Sequence, residues 1–494
     1  MRLFSQSYKL PRGYCSWEPY DPAETGTYPV NRVPFCAAIK VFLALLAVVG
    51  TGRSGSTETM LSALGRAYQN NPQLNAQRAN ARAIDENVPQ ALSGYRPKIS
   101  VTATLGQEYT DIVTGAPGNV RLHAAGRTTP YSAGGTVTQT IYNGFQTANR
   151  TRAAESQVST AREALRVMEQ TVLLSAATAY MDVLRDTGTL DIQRTNVRVL
   201  EEILEQTRER FTAGEVTRTD VAQAEAQLAA GRSARAAAES ILNTSRANYR
   251  AVVGTDPINL APGSPVDRYW PTSLGPAIET ALMENPNVTA AMYGIDVAYL
   301  QVKINEGALF PNLTIQANAQ YASFPQLEIP QNFTTSVIAQ LTIPIYQGGS
   351  EYSLIRQSKE SLAQQRLNLD VVRNQTRQAV MQAWGQVQAT KAQITATRSQ
   401  ISSSKVALNC VREEAHAGLR TTIDVLNAQQ ALVNARIQLV SAERDRVVAS
   451  YNLLSALGRL SPRVLGLATS VYDPLVHYSQ VRDAWAGIRN PDSR

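Results

Sequence analysis

AGLRTTIDVLNAQQALVNARIQL (417–439) and FTAGEVTRTDVAQAEAQL (211–228) are two versions of one segment. Ala213-Gly214 stands 204 residues before Ala417-Gly418, and Asp220-Val221 stands 204 before Asp424-Val425. Upstream of the first glycine, Ala176, Val183, Leu190, Val197 and Leu204 are spaced by seven; upstream of the second, so are Val380, Val387, Ile394, Ile401 and Leu408. A seven-residue apolar file is a coiled-coil seam. The pattern breaks at each glycine and resumes through Val221 and Leu228, and through Val425, Leu432 and Leu439. Glycine is the residue expected where a helix must end and turn back. Each segment therefore reads as the tip of a long antiparallel helical hairpin.

The repeat extends outward from the tips. Gly254 recurs as Gly458 and Tyr142-x-Gly144 as Tyr346-x-Gly348, all 204 residues apart. Further upstream the offset is 214: Asn71-Pro72 recurs as Asn285-Pro286, and Pro97 as Pro311. The extra ten residues sit between Pro97 and Tyr142, where the first copy carries a longer loop. No proline occurs in 131–256 or in 345–461. Proline costs a helix interior roughly 3 kcal/mol, so these stretches are read as long helices. From Asn143 to Phe211 such a helix is roughly 100 Å long. The division that follows is a first repeat, 57–254 (helix, β-hairpin 98–142, helical hairpin 143–254), and a linker, 255–273. A second repeat, 274–458, follows (helix, β-hairpin 312–345, helical hairpin 346–458), then a C-terminal segment, 459–494.

Between the helices lie the chain's good period-two runs. Ile99, Val101, Ala103 and Leu105 alternate with Ser100, Thr102 and Thr104; Leu313, Ile315, Ala317, Ala319 and Tyr321 alternate with Thr314, Gln316, Asn318 and Gln320; Val337, Ala339, Leu341, Ile343 and Ile345 form a further file. The partner segment 133–141 alternates least clearly. Runs of about 9–11 residues suit a tilted transmembrane strand, and one apolar face with one small-polar face suits a water-filled barrel in lipid. A half-buried strand of a soluble sheet would read the same way. The loops 110–130 and 323–333 are expected outside the cell.

Bulk composition narrows the function. Of 494 residues, 44% are apolar and 18% charged, and no apolar run is long enough for a membrane-spanning helix. The net charge of +7 is spread among acids with no Lys/Arg block, which reads as solvated helix faces and not as a nucleic-acid footprint. Arg32 and Lys40, the apolar core VFLALLAVV (41–49) and the small residues after it read as an export signal within 1–56, with its start uncertain. Gly50-x-Gly52-x-x-Gly55 matches a dinucleotide fingerprint, but no second parallel strand follows it. Three cysteines (Cys15, Cys36, Cys410) and three histidines (His123, His416, His477) form no metal-ligand spacing, and no GxSxG elbow occurs. No catalytic residue, cofactor or metal is expected. Four strands per chain cannot close a barrel, since membrane barrels need about eight, and open edges are not tolerated in lipid. If the strands span a membrane, several chains must share one barrel.

The two tip segments, the duplicated plan, SGYRPKIS (93–100), ALFPNLTI (308–315) and ALG (456–458) resemble the outer-membrane efflux protein family, whose type is TolC; AYQNNPQLNAQRAN (67–80) and SGYRP resemble most its type I secretion branch. The resemblance covers about 57–461. It implies a fold that is mainly α with a small β part: duplicated coiled-coil hairpins, and four transmembrane strands per chain completing a shared barrel in a homotrimer. It implies a passive duct, not an enzyme, in the outer membrane with a long periplasmic extension. Its partners would be a periplasmic adaptor, an inner-membrane ABC or proton-driven transporter, and outer-membrane lipid. The resemblance places a gate at the tips, at Gly214, Thr219 and Asp220 of the first and Gly418, Arg420, Asp424 and Asn427 of the second. Asp220 would bond Arg420 of a neighbouring chain, and Asp424 would ring the entrance. Asn427 stands where a second acidic ring is expected and Ala415 where the type protein has a tyrosine. Asp220 and Asp424 could equally serve as caps of the helices they precede. The alternative function is a coiled-coil structural or adaptor protein with no pore, which requires neither alternating strands nor a signal.

Overall fold

The computed structural model describes residues 57–116, 120–326 and 329–491. The signal reading of 1–56 and the glycine motif at 50–55 lie outside them. The first copy comprises α1 (Met60–Asn70), α2 (Pro72–Asp85), α3 (Asn87–Leu92), β1 (Lys98–Leu105), β2 (Glu108–Ala116), β3 (Val120–Thr128), β4 (Tyr131–Asn143), α4 (Gln146–Thr212) and α5 (Arg218–Val253). The second comprises α6 (Leu274–Glu284), α7 (Pro286–Gly307), β5 (Asn312–Gln326), β6 (Ile329–Thr342), α8 (Ser350–His416) and α9 (Thr422–Ala456). Two short helices follow, α10 (Pro462–Leu465) and α11 (Pro474–Val481).

The repeated Asn-Pro marks a repeated joint. Asn71 caps α2 by accepting from Gln73 N (2.9 Å) and Leu74 N (3.2 Å), with Pro72 at the first helical position. Asn285 caps α7 in the same way, accepting from Asn287 N at 2.9 Å. Each side-chain amide then donates to a carbonyl at the end of a returning helix, Asn71 to Val252 (3.1 Å) and Asn285 to Ala456 (2.9 Å). Those carbonyls lie in a last turn and have no partner within the helix. One side chain thus terminates two helices, once in each copy.

α4 and α8 are each 67 residues long, about 100 Å. The apolar file of α4 is buried throughout; in α8, Val380, Val387 and Leu408 are buried while Ile394 and Ile401 are half-buried. The largest core lies where α1, α4, α5 and α9 meet, around the buried Tyr68, Tyr180, Tyr249 and Tyr451. There the linker is tied in. The buried Glu58 carboxylate accepts from the Tyr249 hydroxyl (2.5 Å) and pairs with Arg66 (2.6 Å). The Tyr180 hydroxyl lies 2.6 Å from the Ala261 carbonyl, and burial pushes its pKa up to about 12.

The strands order as β1-β4-β5-β6, all antiparallel. Register puts Ile99, Val137, Ala317 and Val337 in one cross-strand row, and Ser100, Thr136, Asn318 and Ser336 in the next. Alternation in the separate strands therefore becomes one apolar and one mostly polar sheet face, including the faintly alternating β4.

Two expectations change. Residues 110–130 are mostly not an irregular loop. β2 and β3 pair from Glu108↔Thr128 to Ala116↔Val120 as a separate two-stranded ribbon. In the second hairpin most of 323–333 is likewise strand, with Ser323 paired to Gln331 and donating to the Pro330 carbonyl at 3.1 Å. Exposed chain reversals were expected from Gly, Thr and Pro, but cross-strand pairing satisfies these backbones. The file of the last strand also stops early: β6 ends at Thr342, leaving Ile343 and Ile345 beyond it and exposed. The corresponding end of β4, Gln139–Asn143, extends past β1 and is held by β5 alone. Among the described residues, no strand lies beyond Thr342 on that side to do the same for residues 343–347.

Burial is unequal between the copies. α4 buries 23 residues against 12 for its counterpart α8, and α9 buries 15 against 8 for α5. α4 and α9 pack together at the seam between the copies, whereas α5 and α8 are the outer helices of this layer.

Candidate functional site

The two hairpin tips are built alike. α4 ends through Ala213 into Gly214 at φ 82°, with Gly214 N donating to Phe211 O (3.0 Å) and Glu215 N to Arg210 O (2.9 Å). α8 ends through Ala417 into Gly418 at φ 76°, with Gly418 N donating to Ala415 O (3.2 Å) and Leu419 N to Glu414 O (2.9 Å). This paired pattern satisfies the last carbonyls of a helix and needs a left-handed residue. Four residues after each glycine the return helix starts. Thr217 and Thr421 are the caps, each followed three residues on by aspartate. The Asp220 carboxylate accepts from Thr217 N (2.9 Å) and the Thr217 hydroxyl (2.7 Å). Asp424 accepts from Thr421 N (3.1 Å) and the Thr421 hydroxyl (2.8 Å). Hydrogen bonds from Thr421 hold the Asp424 carboxyl below its ordinary pKa.

Both aspartates are thus the third helical residue, closing a capping box with the threonine. The capping alternative for Asp220 and Asp424 describes their local contacts, with threonine as the cap proper. The signal was legible in Thr217-x-x-Asp220 and Thr421-x-x-Asp424. Asp220 and Arg420 are not joined within the chain. Arg420 bonds Glu414 of its own tip (Nε to Oε2, 2.9 Å), which raises the guanidinium pKa. The first tip holds the analogous pair Arg210–Glu215 at 3.0 Å. Glu414 and Glu215 were absent from the sequence reading because nothing in their spacing distinguishes them from other helix charges. Thr219, on the first turn of α5, is exposed, as is Asn427, one turn beyond Asp424 on α9; Asp424 itself is half-buried.

Chemically, the tips offer exposed charge of both signs held at rigid helix ends. Among the described residues, no group of three or more His, Cys, Asp or Glu could hold a metal. No described helix is long and apolar enough to cross a membrane.

Comparison with known proteins agrees with this architecture. The profile of the family described as outer membrane efflux protein matches the chain twice, over residues 63–255 and 277–459. The outer membrane efflux protein BepC of Brucella suis biovar 1 is 41% identical over 455 residues, covering 91% of this chain and 96% of BepC. The alkaline protease secretion protein AprF of Pseudomonas aeruginosa is 25% identical over 334 residues, covering 66% of this chain and 69% of AprF. In fold, the crystal structure of the Campylobacter jejuni CmeC outer membrane channel superposes with a TM-score of 0.70 at 15% identity, covering 86% of this chain and 89% of CmeC. A double match to the profile across both copies, joined to the shared architecture, means that this chain belongs to the outer membrane efflux protein family.

Proposed function

We propose that this chain is one protomer of a homotrimeric channel-tunnel, a passive exit duct for type I protein secretion, multidrug efflux or both. Its strands complete a shared barrel in the outer membrane, and its helical hairpins wall a periplasmic tunnel. A periplasmic adaptor and an inner-membrane ABC or proton-driven transporter recruit it, and the cargo passes without chemistry. AprF, a secretion protein by name, and BepC, an efflux protein by name, support the two branches of transport.

The observation that carries the reading is the unequal burial of equivalent helices. Within the chain, copy two meets copy one through α9 on α4, α7 on α4, and β5 on β4. Applying the same relation to a second chain sets α5 and α2 of one copy against α8 of the next, and β1 against β6. Of these, α5 and α8 are the less buried members of the two long-helix pairs, 8 residues against 15 and 12 against 23, and β1 and β6 are the sheet's two open strands. Residues 343–347 then gain the pairing that Gln139–Asn143 have within the chain. Closure in a ring leaves no sheet edge in lipid.

The gate assignment follows by resemblance. Gly214, Thr219 and Asp220 of one tip face Gly418, Arg420, Asp424 and Asn427 of the next, and Asp220 competes with Glu414 for Arg420.

Native mass measurement on protein extracted from outer-membrane fractions, with conductance in planar bilayers, tests the proposal. A trimer forming a wide ion-conducting pore is expected. A stable monomer, or recovery in the cytosol, defeats it.

A further inference from the structure

The open seam also has a lower end, where β1 meets the helices, and there the two copies differ. In the closed seam within the chain, the turn after β4 packs on the turn before β5. Gly144, at φ 63°, lies so close that a Cβ there would collide with the Gly307 carbonyl and come within 2.8 Å of the Phe310 Cβ. Gly307 is equally confined, since its own Cβ would lie 2.6 Å from the Gly144 carbonyl. Tyr142 and Phe145 meet edge to face beside it, ring centroids 5.5 Å apart. The repeat maps Tyr142, Gly144 and Phe145 onto Tyr346, Gly348 and Gly349, and Gly307 and Phe310 onto Ser93 and Arg96.

In the open seam the turn after β6 is bare. Gly348, at φ 70°, has nothing within 4 Å of a Cβ, and Tyr346 is 74% exposed. The opposite side is also changed in chemistry. Ser93 carries the Cβ that Gly307 cannot, so a neighbour's turn must stand further off. Arg96 is charged where Phe310 is aromatic.

The C-terminal segment reaches this place. α11 docks on α2 and α4: His477 Nδ1 bonds the buried Asp85 carboxylate at 3.0 Å, and Tyr478 lies against Arg162 at 4.8 Å. The chain then runs to the foot of β1. There Arg96 donates to the Ala484 carbonyl (2.5 Å), and the Trp485 ring covers the Arg96 guanidinium at 4.7 Å. Trp485 remains 74% exposed.

We infer that the C-terminal segment is part of the subunit interface: Trp485, laid over Arg96, receives the Tyr346–Gly349 turn of a second copy of this chain. The tryptophan supplies the aromatic surface that position 96 lacks and fills the wider gap that Ser93 imposes. A cation covered by an indole face buries at lower cost than a bare one, and an aromatic anchor at a seam is a recurrent interface device. The inference rests on the trimer proposed above.

The full chain tests it, with native cysteines changed to serine and Trp485→Cys combined with Tyr346→Cys. Mild oxidation of intact outer membranes should give a ladder of disulfide-linked dimers and trimers. Either single cysteine alone should give no such ladder. Trp485→Ala should lower the temperature at which the trimer dissociates in SDS, and Trp485→Phe should restore most of it; an exposed ring can be removed without disturbing the chain's own core. A native trimer with no ladder and an unchanged dissociation temperature overturns the inference and leaves the trimer standing. Quenching by brominated lipid that disappears in Trp485→Phe, again with no ladder, assigns the ring to the bilayer and also overturns it. A monomeric native mass removes the trimer and this interface together.

Discussion

Thr217 and Thr421 show how much local chemistry a solvent-exposed tip requires. Each is an exposed cap at the start of a helix, so its capping box must satisfy the first amides. Thr217→Ala or Thr421→Ala should cost the affected helix about 1 kcal/mol. Hydrogen exchange over the first turn of α5 or α9 should then rise roughly fivefold, with trimer yield unchanged. An unchanged exchange rate would mean that neighbouring chains, not the caps, hold the tips.

Arg420 and Asp424 carry the gate predictions. Arg420→Ser should raise single-channel conductance if it removes the proposed link to a neighbour's Asp220. Glu414→Gln should do the reverse, because it frees Arg420 from its bond within the tip. If the two variants move conductance the same way, Arg420 acts only through Glu414. Asp424→Ala should reduce cation preference. The pH dependence has a definite sign. The folded pKa of Asp424 is depressed by the Thr421 hydrogen bonds. Its contribution to the cap is therefore present above the unfolded carboxylate value and lost as pH falls through the depressed one. Cation preference should accordingly persist through the ordinary carboxylate range and fade only below it. A fade centred on the ordinary value would show that Thr421 leaves the carboxylate unperturbed.

Among the elements, the ribbon β2–β3 is separable. The Gly106 amide donates to the Pro130 carbonyl at 2.9 Å, so the β1–β4 hairpin is already closed below the ribbon. Replacing residues 107–129 by a two-residue turn should preserve heat-modifiable assembly in outer membranes; loss of assembly would make the ribbon part of the barrel. Cysteines at Ala125 and Gln331 should react with an impermeant reagent on whole cells, since both hairpin ends point away from the helices. Labelling only after outer-membrane disruption reverses that topology. The strands also mark a limit of reading. Alternation made β1 and β5 evident, but Tyr109, Asp111 and Val113 alternate with Thr110 and Ile112 too weakly to separate strand from loop. Only the pairing with Val120–Thr128 makes β2 a strand.

At the scale of the whole molecule, α8 is the diagnostic helix. Leu367 and Val371, one turn apart, are 67% and 51% exposed in the single chain. Leu367→Lys with Val371→Lys should leave helical content intact and abolish the trimer on native mass measurement. A trimer that tolerates both lysines places the seam elsewhere.

Much of this was legible without coordinates, for a physical reason. Helical seams and tips depend on short-range periodicity, on proline exclusion and on glycine, all written along the chain. The repeat exposed the duplicated plan because both copies obey the same packing demands at Asn71 and Asn285, Gly214 and Gly418. The capping role of Asp220 and Asp424 was also there in the Thr-x-x-Asp spacing. Long-range relations were not. Which strand lies beside which, where β6 stops, and that Ala484 and Trp485 come to rest on Arg96, with 388 residues separating Arg96 from Ala484, depend on contacts between distant segments. No local pattern encodes these, because each partner's sequence is compatible with many neighbours, and only the packed chain selects one.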